Sequence, residues 1–322
     1  MNKLAGVHIV WLMLLSGTLC AQQESYFSQY MNNPLILNPA YAGINDVICL
    51  NATVRRQWMG MVGAPNNLIF DGNAPIKPFG INSGVGVSFG QETYGFNKNI
   101  NFSAAYSYKI DLRKGKLGIG LNAGVYNATL SAKPGGGNTG WVPPQSDPSV
   151  DGVIPTIGKG ATAFDMGLGV YYKSDDIYFG FAVSHLLQPK IKYLGQSAND
   201  ATSLPRNFNL MAGYRIVLPN PMFEVRPSTL IITDGKIVSL TLNTNVVYNK
   251  NFWGGVSVRP GDGIVALMGF ELYNGLKIGI DYDFATTSLI KYNSGSVEFT
   301  LGYCFNLKVE KTPQKYKSVR FL

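Results

Sequence analysis

Few side chains in this sequence are of a type and spacing that does chemistry. Beyond residue 21 the only histidine is His185, in FAVSHLLQP, so a His–Ser or His–Cys nucleophile pair would rest on that one residue. The simpler reading is a histidine at a strand end. Asp281 and Asp283, in GIDYDFA, stand at i and i+2 and so face the same side of a strand. Carboxylates so placed suit a cation or an acid–base pair, and equally suit the polar face of a strand. Gly118 and Gly120 lack the following helix and the Lys–Ser/Thr of a phosphate loop and lie inside a strand pattern. Of the three cysteines, Cys20, Cys49 and Cys304, two lie beyond residue 21, too few for a disulfide scaffold or a zinc cluster. The residues therefore nominate no catalytic group, no cofactor and no metal, and the chain reads as a non-enzyme.

The composition says what kind of element must carry these groups. Charged residues are 14% of 322, against roughly 25% in an ordinary soluble domain, and glycine supplies 37 positions. With 46% hydrophobic and 12% aromatic residues, disorder is excluded, and a helical bundle rich in Ala, Glu, Lys and Leu does not fit. The balance suits a large β protein. The net charge of +8 reflects scarce acids, 19 against 27 Lys and Arg; the cations are scattered, so no nucleic-acid surface is read.

The first residues set the compartment. Lys3 precedes an apolar run, VHIVWLMLL, of signal-peptide length, and SGTLCAQQ supplies small residues before a polar start. Cleavage is placed after Ala21, which makes 1–21 a signal peptide. Leu19 stands where a lipoprotein signal at Cys20 prefers a small residue. Residues 22–45 hold Pro34 and Pro39 and show no clean period. They read as an irregular N-terminal plug or docking segment at or in the periplasmic mouth of a barrel. Tyr26, Phe27 and Tyr30 are its aromatic anchors, and Asn38 and Pro39 its fixed turn, because a proline holds the preceding residue away from helical angles.

From residue 46 to 307 about fourteen segments alternate apolar and polar between turn signals. In the last of them Val297, Phe299, Leu301, Tyr303, Phe305 and Leu307 point one way, and Glu298, Thr300, Gly302, Cys304 and Asn306 the other. A soluble sandwich also alternates. Export, strands long enough to cross a bilayer, and connections that alternate short with long favour an all-β transmembrane antiparallel barrel of about 14 strands. The long connections are read at 56–66, 129–160 and 185–204, and the tight TDGK hairpin breaks the alternation. Lumen-facing positions read as rich in Gly, Asn and Thr and poor in charge, which disfavours a selective ion pore. Closure puts the first strand beside the last, with Cys49 and Cys304 both facing inward at similar depth. A disulfide between them requires Cα atoms within ~7 Å, and a one-residue slip would put the thiols on opposite faces.

Two segments carry a family resemblance. YFSQYMNNPLILNPAYAG (26–43) is followed by RRQWMGMVGAPNNLIFDGNAPI (55–76), and residues 251–305 close with YNSGSVEFTLGYCF. Together they resemble the PorP/SprF family of outer-membrane proteins of the type IX secretion system of Bacteroidota. Val297 stands where that family usually has His. The resemblance implies an outer-membrane barrel that assists protein export and has no assigned catalytic residues. The partners it implies are outer-membrane lipid, peptidoglycan-associated or ring components in the periplasm, and a large secreted adhesin. Thr300, Gly302, Phe305 and Leu307 look like the polar-x-Gly-x-x-aromatic-x-apolar signal of outer-membrane barrel assembly. Residues 308–322 form a basic periplasmic tail with Lys308, Lys311, Lys315, Lys317 and Arg320 against Glu310. The alternative function is a 14-stranded channel for hydrophobic or small solutes.

Overall fold

Period-two alternation needs two different environments, one on each side of a sheet. The structure, a computed structural model, describes residues 27–130, 159–192, 202–272 and 274–306. In it fourteen antiparallel strands follow one another around a closed barrel. They are β1 (Ile48–Arg56), β2 (Asn66–Ile76), β3 (Ser83–Tyr94), β4 (Asn97–Leu112), β5 (Gly115–Leu130), β6 (Lys159–Lys173) and β7 (Ile177–Ser184). They continue with β8 (Asn207–Tyr214), β9 (Phe223–Thr233), β10 (Val238–Tyr248), β11 (Phe252–Arg259), β12 (Gly263–Glu271), β13 (Leu276–Ala285) and β14 (Ser296–Phe305). Each strand pairs with its neighbours in the chain, and β14 returns to β1 from Ile48↔Phe305 through Arg56↔Val297. Hydrocarbon leaves an unpaired backbone N–H or C=O costing several kcal/mol, so closure removes the edge that lipid would not tolerate.

The two faces match the alternation. Leu50, Val54, Phe70, Phe102, Leu121 and Phe299 stand exposed on the outside, where lipid covers them. Thr53, Asn67, Asn99, Asn209, Asn243 and Ser257 are buried toward the lumen. The inner face is thus largely polar and the outer face apolar, the inverse of a soluble domain. No described helix is long and apolar enough to cross a membrane.

Connections at the end where β1 starts and β14 finishes are short, as at 113–114, 174–176 and 249–251. This end faces the periplasm by the rule of short inner turns. At the opposite end 57–65, 185–206 and 286–295 are long. The expected alternation is broken more often than at the TDGK hairpin alone: 95–96 and 260–262 are also tight outer turns. Antiparallel neighbours need only about two linking residues at either end, so nothing in the ladder demands a long outer loop. The signal peptide, most of the 129–160 connection and the basic tail lie outside the described residues.

Cys49 and Cys304 face each other across the seam of β1 and β14, with Cα atoms 4.1 Å apart, and are disulfide-bonded. The bond ties together residues 255 apart in sequence at the periplasmic end of the seam. Replacing both by serine is expected to lower stability in urea unfolding by about 2–4 kcal/mol, in proportion to the loop released. Without reductant, wild-type barrel should show no reactive thiol once unfolded; full labelling of both cysteines would refute the bond.

Candidate functional site

A polar lumen must be filled by water or by chain, and here residues 27–45 fill its middle. Prolines open two short 3₁₀ turns, Pro34–Ile36 and Pro39–Tyr41. Pro39 holds Asn38 extended, at φ −150° and ψ 110°. Asn38 Oδ1 accepts the Ala40 N–H at 3.0 Å, while its Nδ2 donates to the carbonyls of Val170 on β6 and Phe181 on β7 at 2.8 and 3.2 Å. One side chain thus caps the plug's turn and fastens it to two strands.

The wall makes room for that turn with glycine. A Cβ at Gly120 would lie 2.5 Å from the Ala40 backbone, and one at Gly118 2.2 Å from the Ala40 carbonyl oxygen. The Ser107 hydroxyl donates to the same carbonyl at 3.0 Å. Around the turn, Tyr30, Leu37, Ala40 and Ile44 of the plug pack against Tyr171, Met211, Leu230 and Ile232 of the wall. The Tyr30 hydroxyl meets Ser228 Oγ at 2.9 Å, and burial pushes the Tyr41 phenol up to about 12.

The outer end of the plug is held by charge. Glu298 on β14 accepts the backbone N–H groups of Ser28 and Gln29 at 2.9 and 3.0 Å. The Ser28 hydroxyl donates to Asp283 at 3.0 Å, and the Gln29 amide donates to Asp281 at 2.9 Å. Arg55 on β1 reaches Glu298 at 3.3 Å and also pairs with Asp283; Arg259 on β11 pairs with Asp283 at 3.1 Å. Both guanidinium groups also donate to Ser28 Oγ. Arg55 and Glu298 are 1% and 0% exposed, so the carboxylates of Asp283 and Glu298 and the two guanidinium groups are paired in a dry setting, with Asp281 4.0 Å from Arg55. Removing one partner of such a set typically costs 3–5 kcal/mol, because the other charge is left buried and uncompensated.

The inner end is tied separately. Asp46 pairs with Lys109 at 2.8 Å and with Lys116, and Lys109 also donates to the Gly43 carbonyl at 2.9 Å. The plug therefore spans from the outer part of the lumen to the periplasmic rim, deeper than a segment at the mouth. A cavity of about 190 Å³ lies on its outer side, with Phe27, Leu35 and Leu37 in its lining. Another of about 360 Å³ lies on the inner side.

Of the residues nominated from sequence, Tyr26 and Leu307 lie outside the described residues. Phe27 and Tyr30 are buried in the lumen, and Asn38 and Pro39 form the turn. Thr300 faces the lumen, its hydroxyl 3.3 Å from that of Thr53; Gly302 lies opposite Asn51 and Phe305 opposite Ile48 in the seam. Asp281 and Asp283 face inward together, where they hold the plug. His185 follows β7 at φ 53° and pairs with Asp165 at 2.8 Å, while the neighbouring Ser184 hydroxyl accepts from Asn209.

The expectation of a lumen poor in charge is corrected by the Arg55, Arg259 and Glu298 group. Counting by twos from Cys49 puts Arg55 on the inner face, and from Ser296 puts Glu298 there, so parity alone carried the signal. Ser28 and Gln29 had no such signal, since an irregular segment has no period.

A family model described as type IX secretion system membrane protein PorP/SprF matches residues 19–303. Among curated proteins none matches the sequence. Solved structures of similar architecture include the outer membrane protein Omp33 of Acinetobacter baumannii, at 6% identity and TM-score 0.45 over 81% of this chain and 99% of that one. The toluene transporter TbuX of Ralstonia pickettii is similar at 13% identity and TM-score 0.46, over 84% and 92%. The translocator domain of the autotransporter NalP of Neisseria meningitidis is similar at 12% and TM-score 0.42, over 81% and 87%.

In planar bilayers the intact barrel should conduct little. Gly120→Val, which drives a branched side chain into the Ala40 backbone, should raise open events at least several-fold, as should Glu298→Ala, which frees Ser28 and Gln29. Leu121→Ala, on the lipid face, should not. Equal conductance in all four proteins would mean that the plug is not the seal.

Proposed function

The chain belongs to the PorP/SprF family of type IX secretion system membrane proteins, and on that premise we propose that it is a docking barrel supporting the export or surface attachment of partner proteins. It is an outer-membrane β-barrel, and its family makes secretion proteins its partners. The finer reading is that peptidoglycan-associated or ring components meet it from the periplasm and that its cargo is a large adhesin of the secretion and gliding machinery. In this reading 1–21 is a signal peptide, 22–45 the plug, 46–307 the barrel and 308–322 a basic periplasmic contact. Thr300, Gly302, Phe305 and Leu307 serve barrel assembly, and no residue is catalytic.

The observation that supports this best is the filled lumen. Ser28 and Gln29 are clamped by five charged side chains, and the plug's middle is seated on glycines. A barrel whose lumen is occupied by its own chain suits docking and gating better than bulk permeation. A solute channel is the second reading. The cavities on either side of the plug favour it, and the plug between them stands against it.

A strain lacking the gene should keep ordinary solute uptake and lose a surface adhesin or secreted cargo, measured by proteomics of the cell surface and medium. Full-length protein restores the cargo. An unchanged exported proteome would overturn the docking role, and impaired uptake with normal export would favour the channel.

A further inference from the structure

The inner cavity opens at the periplasmic end, where Asp175, Asp176 and Tyr214 on its rim are exposed. Four cations line it: Lys173, Arg215, Arg226 and Lys277. Three of them already have carboxylates. Arg226 pairs with Glu224 at 2.6 Å, Arg215 with Asp176 at 3.0 Å, and Lys277 with Glu271 at 3.2 Å. Lys173, at the periplasmic end of β6, differs. Its Nζ donates to Asn45 Oδ1 at 2.6 Å, a neutral amide, and it makes no ion pair among the described residues. Lys116 stands opposite it in the β5–β6 ladder and Arg226 and Lys277 share its cavity, where the carboxylates of Asp176 and Glu271 are committed to Arg215 and Lys277. An ammonium drawn partly out of water among like charges is unfavourable until an anion joins it.

The rest of the lining says what the anion is attached to. Tyr178 stands opposite Lys173 in the β6–β7 ladder, and Met31, Pro34, Val247 and Trp253 line the same cavity, giving it an apolar wall. A single uncommitted positive charge balances a carboxylate better than a dianionic phosphate. We infer that this cavity is a receptor for an acidic peptide segment of a periplasmic protein, taking a carboxylate at Lys173 and an adjacent apolar side chain against the wall. The inference rests on the reading that periplasmic proteins dock on the barrel, and it names where.

The test uses the full-length barrel in detergent and fluorescence anisotropy of a labelled hexapeptide with two glutamates flanking a phenylalanine. The acidic peptide should bind, and its glutamine version should not. Lys173→Gln should weaken binding about tenfold, the size of one charge-assisted hydrogen bond, while Lys173→Arg retains it. Asn45→Ala, which removes the Lys173 contact and the Asn45–Tyr41 hydrogen bond within the plug, should also retain it; a loss equal to that of Lys173→Gln would make Lys173 a plug-positioning residue and overturn the site. Heat-modifiable gel migration verifies that each variant folds. No binding, or binding indifferent to Lys173→Gln, overturns the proposal. So does stronger competition from a cell-wall muropeptide or inorganic phosphate than from the unlabelled peptide. If the purified barrel ignores the peptide while the deletion strain still loses its cargo, this site is wrong and the docking role stands.

Discussion

Everything in this molecule depends on the refusal of hydrocarbon to hydrogen-bond a peptide group. That constraint forces each strand to pair on both sides, and it forces β14 back onto β1. Once the ring closes, the outer face must be apolar to meet lipid and the inner face is released from that demand. The lumen can then hold asparagine, threonine and charge in numbers no soluble core of this size would carry. A polar lumen in turn selects what fills it. The plug brings its own backbone N–H groups, amides and hydroxyls, and only its middle, around Tyr30, Leu37 and Ile44, is packed as an ordinary apolar core.

The charged group at the plug's outer end specifies position more than it adds net stability. Desolvating three carboxylates and two guanidinium groups costs much of what their attraction returns. What the arrangement supplies is uniqueness: Ser28 and Gln29 present two adjacent N–H groups to one carboxylate, and few other registers of the segment would satisfy it. The glycines of β5 act in the same sense through sterics. They admit the Ala40 backbone at distances that any side chain would forbid.

Which parts of this were legible in sequence depends on whether they obey a period. Strand number, the two faces and the inward, same-depth placement of Cys49 and Cys304 all come from counting by twos, and a slip of one residue would have destroyed the last. The same count puts Arg55 and Glu298 inside, but nothing local announces that residues 243 apart in the chain converge on Ser28. The depth of the plug was hidden for a related reason: Gly118 and Gly120 look like weak strand positions until the segment pressing on them is known. Loop lengths misled mildly, since a tight turn serves an antiparallel pair at either end of the barrel.

The disulfide has a mechanical meaning as well. The plug runs straight into β1, with only a few residues between its last tether at Asp46 and Cys49. Tension on the plug is therefore passed along the chain to the first strand, at the seam where the ring closes. The covalent link to β14 stops that load at the rim and spreads it over two strands. The plug can be pulled on as a tethered cork without the barrel unravelling from its first stave.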